Sequence, residues 1–297
     1  MIQKSTSFSQ QQGLSLIEMM ISMVLGLFLV GGLSTMFLKS KESDKTRQAV
    51  TEMEANARLA IEFLNNGIQH AGYRSIYIVP FDKPFLSEKD GTPPNTICRG
   101  GGASNSLLLS GLTHPYTEDG SGSNSDQITS VFLADNPDDN KNTSSRRRVF
   151  RDCAGGEITQ ACSADTRNGM ADPMTAKLYN SFYVDSNNQL VCIGSRTAGS
   201  NPIVIAENIE NMQIRYGVAS DNSLRYKTAT DVETDKEWRN VKSVQIALLI
   251  RSNKNILTRD ETRKFDLLDQ KNLSVTSGHE KKLHRVYSTT INLANRN

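Results

Sequence analysis

The chain has 297 residues, 37% of them hydrophobic and 22% charged, with Lys+Arg 34 against Asp+Glu 32 for a net charge of +2. That length holds one membrane helix plus one sizeable domain, and the near-balance of charge argues against a nucleic-acid surface. Four cysteines, Cys98, Cys153, Cys162 and Cys192, are an even number that fits two disulfides in an oxidising compartment; a zinc site lacks a CxxC pair and nearby histidines.

The polar stretch 1–13 carries one lysine, Lys4, and gives way at Gly13-Leu14 to an apolar run with no charge from Met19 to Leu38. At about 1.5 Å rise per residue, a helix over that run covers the roughly 30 Å hydrocarbon core of a bilayer. Glu18 is the single acid at its start. A carboxylate costs on the order of 2.5–3.5 kcal/mol at the centre of such a helix, so Glu18 requires a neutralising partner. A secretory signal is cut after its apolar segment, and here the polar leader comes first. Gly13-Leu14-Ser15-Leu16-Ile17-Glu18 resembles the type III signal of type IV prepilins: a glycine, a hydrophobic residue, and a glutamate at the fifth mature position. The resemblance implies that prepilin peptidase cuts after Gly13 on the cytoplasmic side and methylates the new amine of Leu14, which stands where the family usually has Phe. That amine, with a reference pKa of about 7.7–8.0, is largely protonated at neutral pH. It lies four residues, roughly 6 Å, from Glu18, so a subunit shifted by that distance brings its own amine beside this carboxylate.

Beyond Lys39, Val50, Met53, Ala57, Ala60, Ile61, Leu64, Ile68 and Ala71 recur at spacings of three and four between charged residues. This predicts an amphipathic continuation of the same helix, stopping at Gly72. The stretch 57–73 (ARLAIEFLNNGIQHAGY) is similar to the helix end of PilW-like minor pilins and of the large pseudopilins of type II secretion. Lys39, Lys41, Lys45 and Arg47 outnumber Lys4, which by itself places the C-terminal side in the cytoplasm. The prepilin resemblance and the cysteines outweigh that count and place the head on the opposite, periplasmic side.

Residues 74–96 are irregular and proline-punctuated. Strand-like runs follow at 106–109, 127–134, 148–151, 181–185 and 190–193, with 185–189 (DSNNQ) as a hairpin turn and 119–126 as a mobile loop. Further runs lie at 212–218, 243–252 and 285–293. The phrase from Ile205 to Gly217, Trp238, the run 244–252 and the final Arg285–Leu293 segment resemble PilW-like proteins. Residues 75 to about 200 carry no matching motif. Val244, Ile246, Leu248 and Ile250, interleaved with Ala247 and Leu249, predict a central strand buried on both faces. Trp238 reads as core. Three pairings of the cysteines are possible; the short loop favours Cys153 with Cys162, leaving Cys98 with Cys192.

No catalytic signature is present: His70, His114, His279 and His284 are scattered, without HExxH, GxSxG or a phosphate-binding loop. The cluster 135–140 lacks the spacing of a calcium loop, and Arg146-Arg147-Arg148 reads as a charged strand edge. The expectation is an α+β, type IV pilin-like fold: a leader over 1–13, a transmembrane and assembly helix over 14–38, its amphipathic continuation over 39–72, and a β-rich head over 73–297 in which that helix packs on an antiparallel sheet. No cofactor or metal is expected. By resemblance the protein is a non-enzymatic minor pilin that helps prime type IV pilus assembly at a tip complex. Its implied partners are prepilin peptidase, other minor pilins, the major pilin and the inner-membrane assembly platform, with no nucleic acid. A minor pseudopilin of type II secretion and a membrane-anchored adhesin are the alternatives.

Overall fold

The computed structural model describes residues 15–73, 83–87, 116–122, 124–133, 152–155, 177–194, 202–220, 223–275 and 277–294. Gly13, Leu14, Cys98, Cys162, His114, the strand-like runs 106–109 and 148–151, the acidic cluster 135–140 and the arginine run lie outside them. The chain divides into two compact units, Met1–Gln48 and Ala49–Asn297. One helix, α1 (Leu16–Ile68), contributes to both.

In the first unit α1 is exposed on all sides; Leu16, Leu27 and Phe28 are 77%, 75% and 76% exposed. Its hydroxyls are spent on their own helix, with Ser22 Oγ donating to the Glu18 carbonyl at 2.7 Å, Ser34 Oγ to Val30 at 2.7 Å and Thr35 Oγ1 to Gly32 at 2.8 Å. In lipid every polar group needs an internal partner of this kind. Lys41 then sits over the Phe37 ring, 4.9 Å from its centroid, at the polar end of the run.

In the second unit the expected stripe is buried: Met53, Ala57, Ala60, Leu64 and Ile68 form one side of the core. The other side comes from two four-stranded antiparallel sheets. One is ordered β1 (Ile128–Leu133), β2 (Lys177–Val184), β3 (Gln189–Gly194), β4 (Ile203–Glu207); the other is ordered β10 (His284–Asn292), β7 (Val241–Arg251), β5 (Ile209–Ser220), β6 (Ser223–Lys227). A short hairpin, β8 (Phe265–Leu267) and β9 (Gln270–Leu273), a six-residue helix, α2 (Ala229–Thr234), and one 3-10 turn, Trp238–Asn240, complete the described elements.

Strand β7 behaves as its alternation requires. Val244, Ile246, Leu248 and Ile250 join the α1 core, while Ala247 and Leu249 are covered from outside by Phe265, Leu267 and Leu273 of the hairpin. Trp238 is core as expected, at 5.0 Å from Tyr216 and 5.8 Å from Phe85 between ring centroids, and its indole donates to Glu233 Oε2 at 2.6 Å. The DSNNQ turn closes the β2–β3 hairpin, with Asp185 Oδ1 accepting from the backbone N–H of Asn187 and Gln189.

Helix α1 ends at Ile68, and Gly72 takes its φ of 75° in the turn beyond. The end is tied into the sheets: the Gly67 carbonyl accepts from Ser130 Oγ at 2.7 Å, Gly72 N donates to Val131 at 2.7 Å, and Ala294 N donates to Gln69 at 3.1 Å. These bonds occupy groups that a helix terminus leaves open.

Two expectations are corrected. The described ends of the loop 119–126 are anchored rather than mobile: Asp119 accepts from Ala229 N and Thr230 N, both at 2.8 Å, capping α2, and Asp126 accepts from Gly120 N and Ile214 N, both at 2.7 Å. Cys153 is bonded to Cys192 across 39 residues of sequence, with Cα atoms 6.3 Å apart, and not to Cys162. The turn bearing Cys153 is docked on the first sheet, its N–H donating to Asn180 Oδ1 at 2.8 Å, so Cys192 of β3 is within bonding reach. A short sequence separation carries little weight here, because loop-closure entropy grows only slowly with length whereas disulfide geometry is strict.

Candidate functional site

Among the described residues, and besides Asp126, two places carry charge where burial or lipid disfavours it. The first is the start of α1. The Ser15 carbonyl accepts from Glu18 N at 3.0 Å and Met19 N at 3.1 Å, opening the helix, and Glu18 is the acid of its first turn. A carboxylate there faces the positive end of the helix dipole. Above it, the exposed apolar run meets the length and composition needed to cross a membrane. Contiguous apolar surface of this extent marks a membrane or protein interface.

The second place was not foreseen. Glu210 is the extra residue of a β-bulge in β5, between Ile209, paired with Ile250, and Asn211, paired with Leu249. Its side chain is 1% exposed, and its Oε1 lies 2.5 Å from His279 Nδ1, 3.2 Å from His284 Nε2 and 3.4 Å from Arg251 Nε. Burial pulls the Arg251 guanidinium below its ordinary value, with Glu210 acting the other way. Burial, then the charge of Arg251, also lowers the Lys282 ammonium. The two histidines seemed scattered because β5, β7, β10 and the connection before β10 meet only in the fold. The available hint was a bulge-prone acid, Glu210, within the run from Ile205 to Gly217. His70, in contrast, is exposed. Among the described residues no group of His, Cys, Asp and Glu is arranged to hold a metal ion.

The comparisons match both ends of the chain. Residues 8–34 match the prokaryotic N-terminal methylation motif, and residues 181–295 match Type IV Pilus-assembly protein W. Together the two matches support a PilW-like type IV pilin. The pilin's match to the second family begins inside β2 and runs through β10, taking in the Ile205–Gly217 phrase, Trp238 and the terminal strand. No curated protein matches the sequence. Among solved structures the pilin is similar to the type IV-like pilin TTHA1219 from Thermus thermophilus, at 11% identity and a TM-score of 0.37, over 82% of this chain and 96% of that one. The family is structural rather than enzymatic, and its members work with other pilus components. The apolar helix and the methylation motif give the pilin a membrane anchor and a route into the pilus.

Proposed function

We propose that this pilin is a minor subunit that starts type IV pilus assembly, acting in a complex at the fibre tip. In this reading prepilin peptidase cuts between Gly13 and Leu14 and methylates the Leu14 amine. The subunit waits in the inner membrane with its head in the periplasm, where the Cys153–Cys192 bond has the oxidising surroundings it needs. Assembly then moves the apolar length of α1 from lipid into a bundle of like helices formed with other minor pilins, the major pilin and the inner-membrane platform. Lipid and helix bundle are similarly apolar, so packing and charge pairing decide the exchange. Glu18 supplies the pairing by meeting the N-terminal amine of a neighbour about 6 Å along the bundle.

The observation that carries this reading is the exposed apolar part of α1 with one acid in its first turn, most of it inside the match to the methylation motif. The match to a pilus-assembly family favours it over the pseudopilin alternative. Glu18→Ala tests it: the variant is expected to reach the membrane normally and to be lost from sheared pili, and wild-type incorporation would refute the pairing role. Alkaline phosphatase fused after residue 75 is expected to be active, and an inactive fusion would reverse the orientation.

A further inference from the structure

Beside the Glu210 cluster lies a cleft of about 480 Å³, within the roughly 300–1,000 Å³ range of small-molecule sites. Its floor is β5 at the bulge, with Glu210 and Asn211, and its back is Leu249 of β7. The wall is strand β9 with the residues that follow it, Gln270 to Val275. Bulges re-aim side chains and recur next to functional sites. Leu268 opens the two-residue turn before β9 with φ 52°, as tight hairpin turns require, and Asn272 on the wall has φ 58°, which asparagine adopts readily.

We infer that this cleft is a binding site for a neutral, hydroxyl-rich ligand, a saccharide unit. Its charges are already matched within the protein. Glu210 faces Arg251 and two imidazoles, and Lys271 Nζ lies 3.8 Å from Asp266, whose Oδ1 also accepts from Asn272 N at 3.0 Å. Each charged side chain that lines the cleft, Glu210 and Lys271, has an oppositely charged partner within the protein. What lines the space is amide and hydroxyl, from Asn211, Gln270, Asn272 and Ser274, beside apolar Leu249, Leu273 and Val275. Amides donate and accept together, as sugar hydroxyls do. Two floor groups are held in place. Gln213 Nε2 donates to Asn211 Oδ1 at 2.8 Å and to the Asn124 carbonyl at 2.9 Å, while His279, His284 and Arg251 surround Glu210 Oε1 at ion-pair distance. Such supporting contacts reduce the ordering cost of binding.

The test uses the full chain in micelles of lauryldimethylamine oxide, which carries no sugar. Glucose, galactose, N-acetylglucosamine and maltose are titrated by calorimetry and saturation-transfer NMR, with phosphate and trilysine as charged probes. At least one saccharide is expected to saturate in the millimolar range or below, and Gln270→Ala with Ser274→Ala to weaken it ~10-fold, as the loss of one or two hydrogen bonds predicts. Both positions lie on the outer wall, so an unchanged melting temperature shows that the fold is intact. The inference is overturned by no saturable binding, by binding that the variants leave unchanged, or by tighter binding of a charged probe. None of these results bears on Glu18 or on pilus incorporation.

Discussion

Asp126 shows how a single carboxylate can tie a loop to a sheet and still oppose folding near neutrality. Burial raises its pKa to about 7, against the bonds from Gly120 and Ile214 that lower it, and the charges of Asp119 and Asp269 add to the rise. The folded value therefore lies above the unfolded one, so the stability linked to this group is fully present below pH 3.8 and is lost as pH rises through about 7. Asp126→Asn is expected to flatten the fall in urea midpoint between acid and neutral pH, and equal slopes for the two proteins would contradict this. At this scale Glu18 was readable because its isolation is a property of local sequence. The Glu210 cluster was not, because its groups come from segments about 40 and 70 residues away.

Helix α1 packs its head half so closely that one position has no room for a side chain. A Cβ on Gly67 would overlap the ring of Phe182, itself 0% exposed and unable to yield. Helix propensity favours alanine there by about 1 kcal/mol, whereas overpacking a tight core costs about 1–3 kcal/mol. The clash wins: Gly67→Ala is expected to destabilise the head by ~1–2 kcal/mol in chemical denaturation, and a gain in stability would show that α1 can move away from β2. The stripe from Met53 to Ile68 and the alternation along β7 were legible because periodicity of 3.6 or 2 is written into adjacent residues. Helix α2 was not, since it has only six residues, and beside its local cap Thr228 its first N–H groups are held by Asp119, 110 and 111 residues earlier. The hairpin β8–β9 has only three or four residues per strand and a polar β9, too short and mixed for an alternation signal.

For the whole molecule, the disulfide and the apolar rod answer different demands. The Cys153–Cys192 bond closes a loop of 39 residues, for which chain entropy predicts about 4 kcal/mol of stabilisation. The double variant Cys153→Ala/Cys192→Ala is expected to lose ~2–4 kcal/mol of head stability while keeping its membrane anchor; an unchanged urea midpoint would contradict the estimate. Its pairing was hidden in the sequence because cysteines choose partners by approach in space. The α+β plan itself was visible at both ends of the chain, where one helix and a few long strands carry strong patterns. The rod is the part on which the functional reading rests, and in the function proposed above its chemistry begins with the removal of residues 1–13. Mass spectrometry of the protein purified from its native membrane tests this most directly. The account predicts an N-terminus at Leu14 bearing one added methyl group; a mature protein that still begins at Met1 would contradict it.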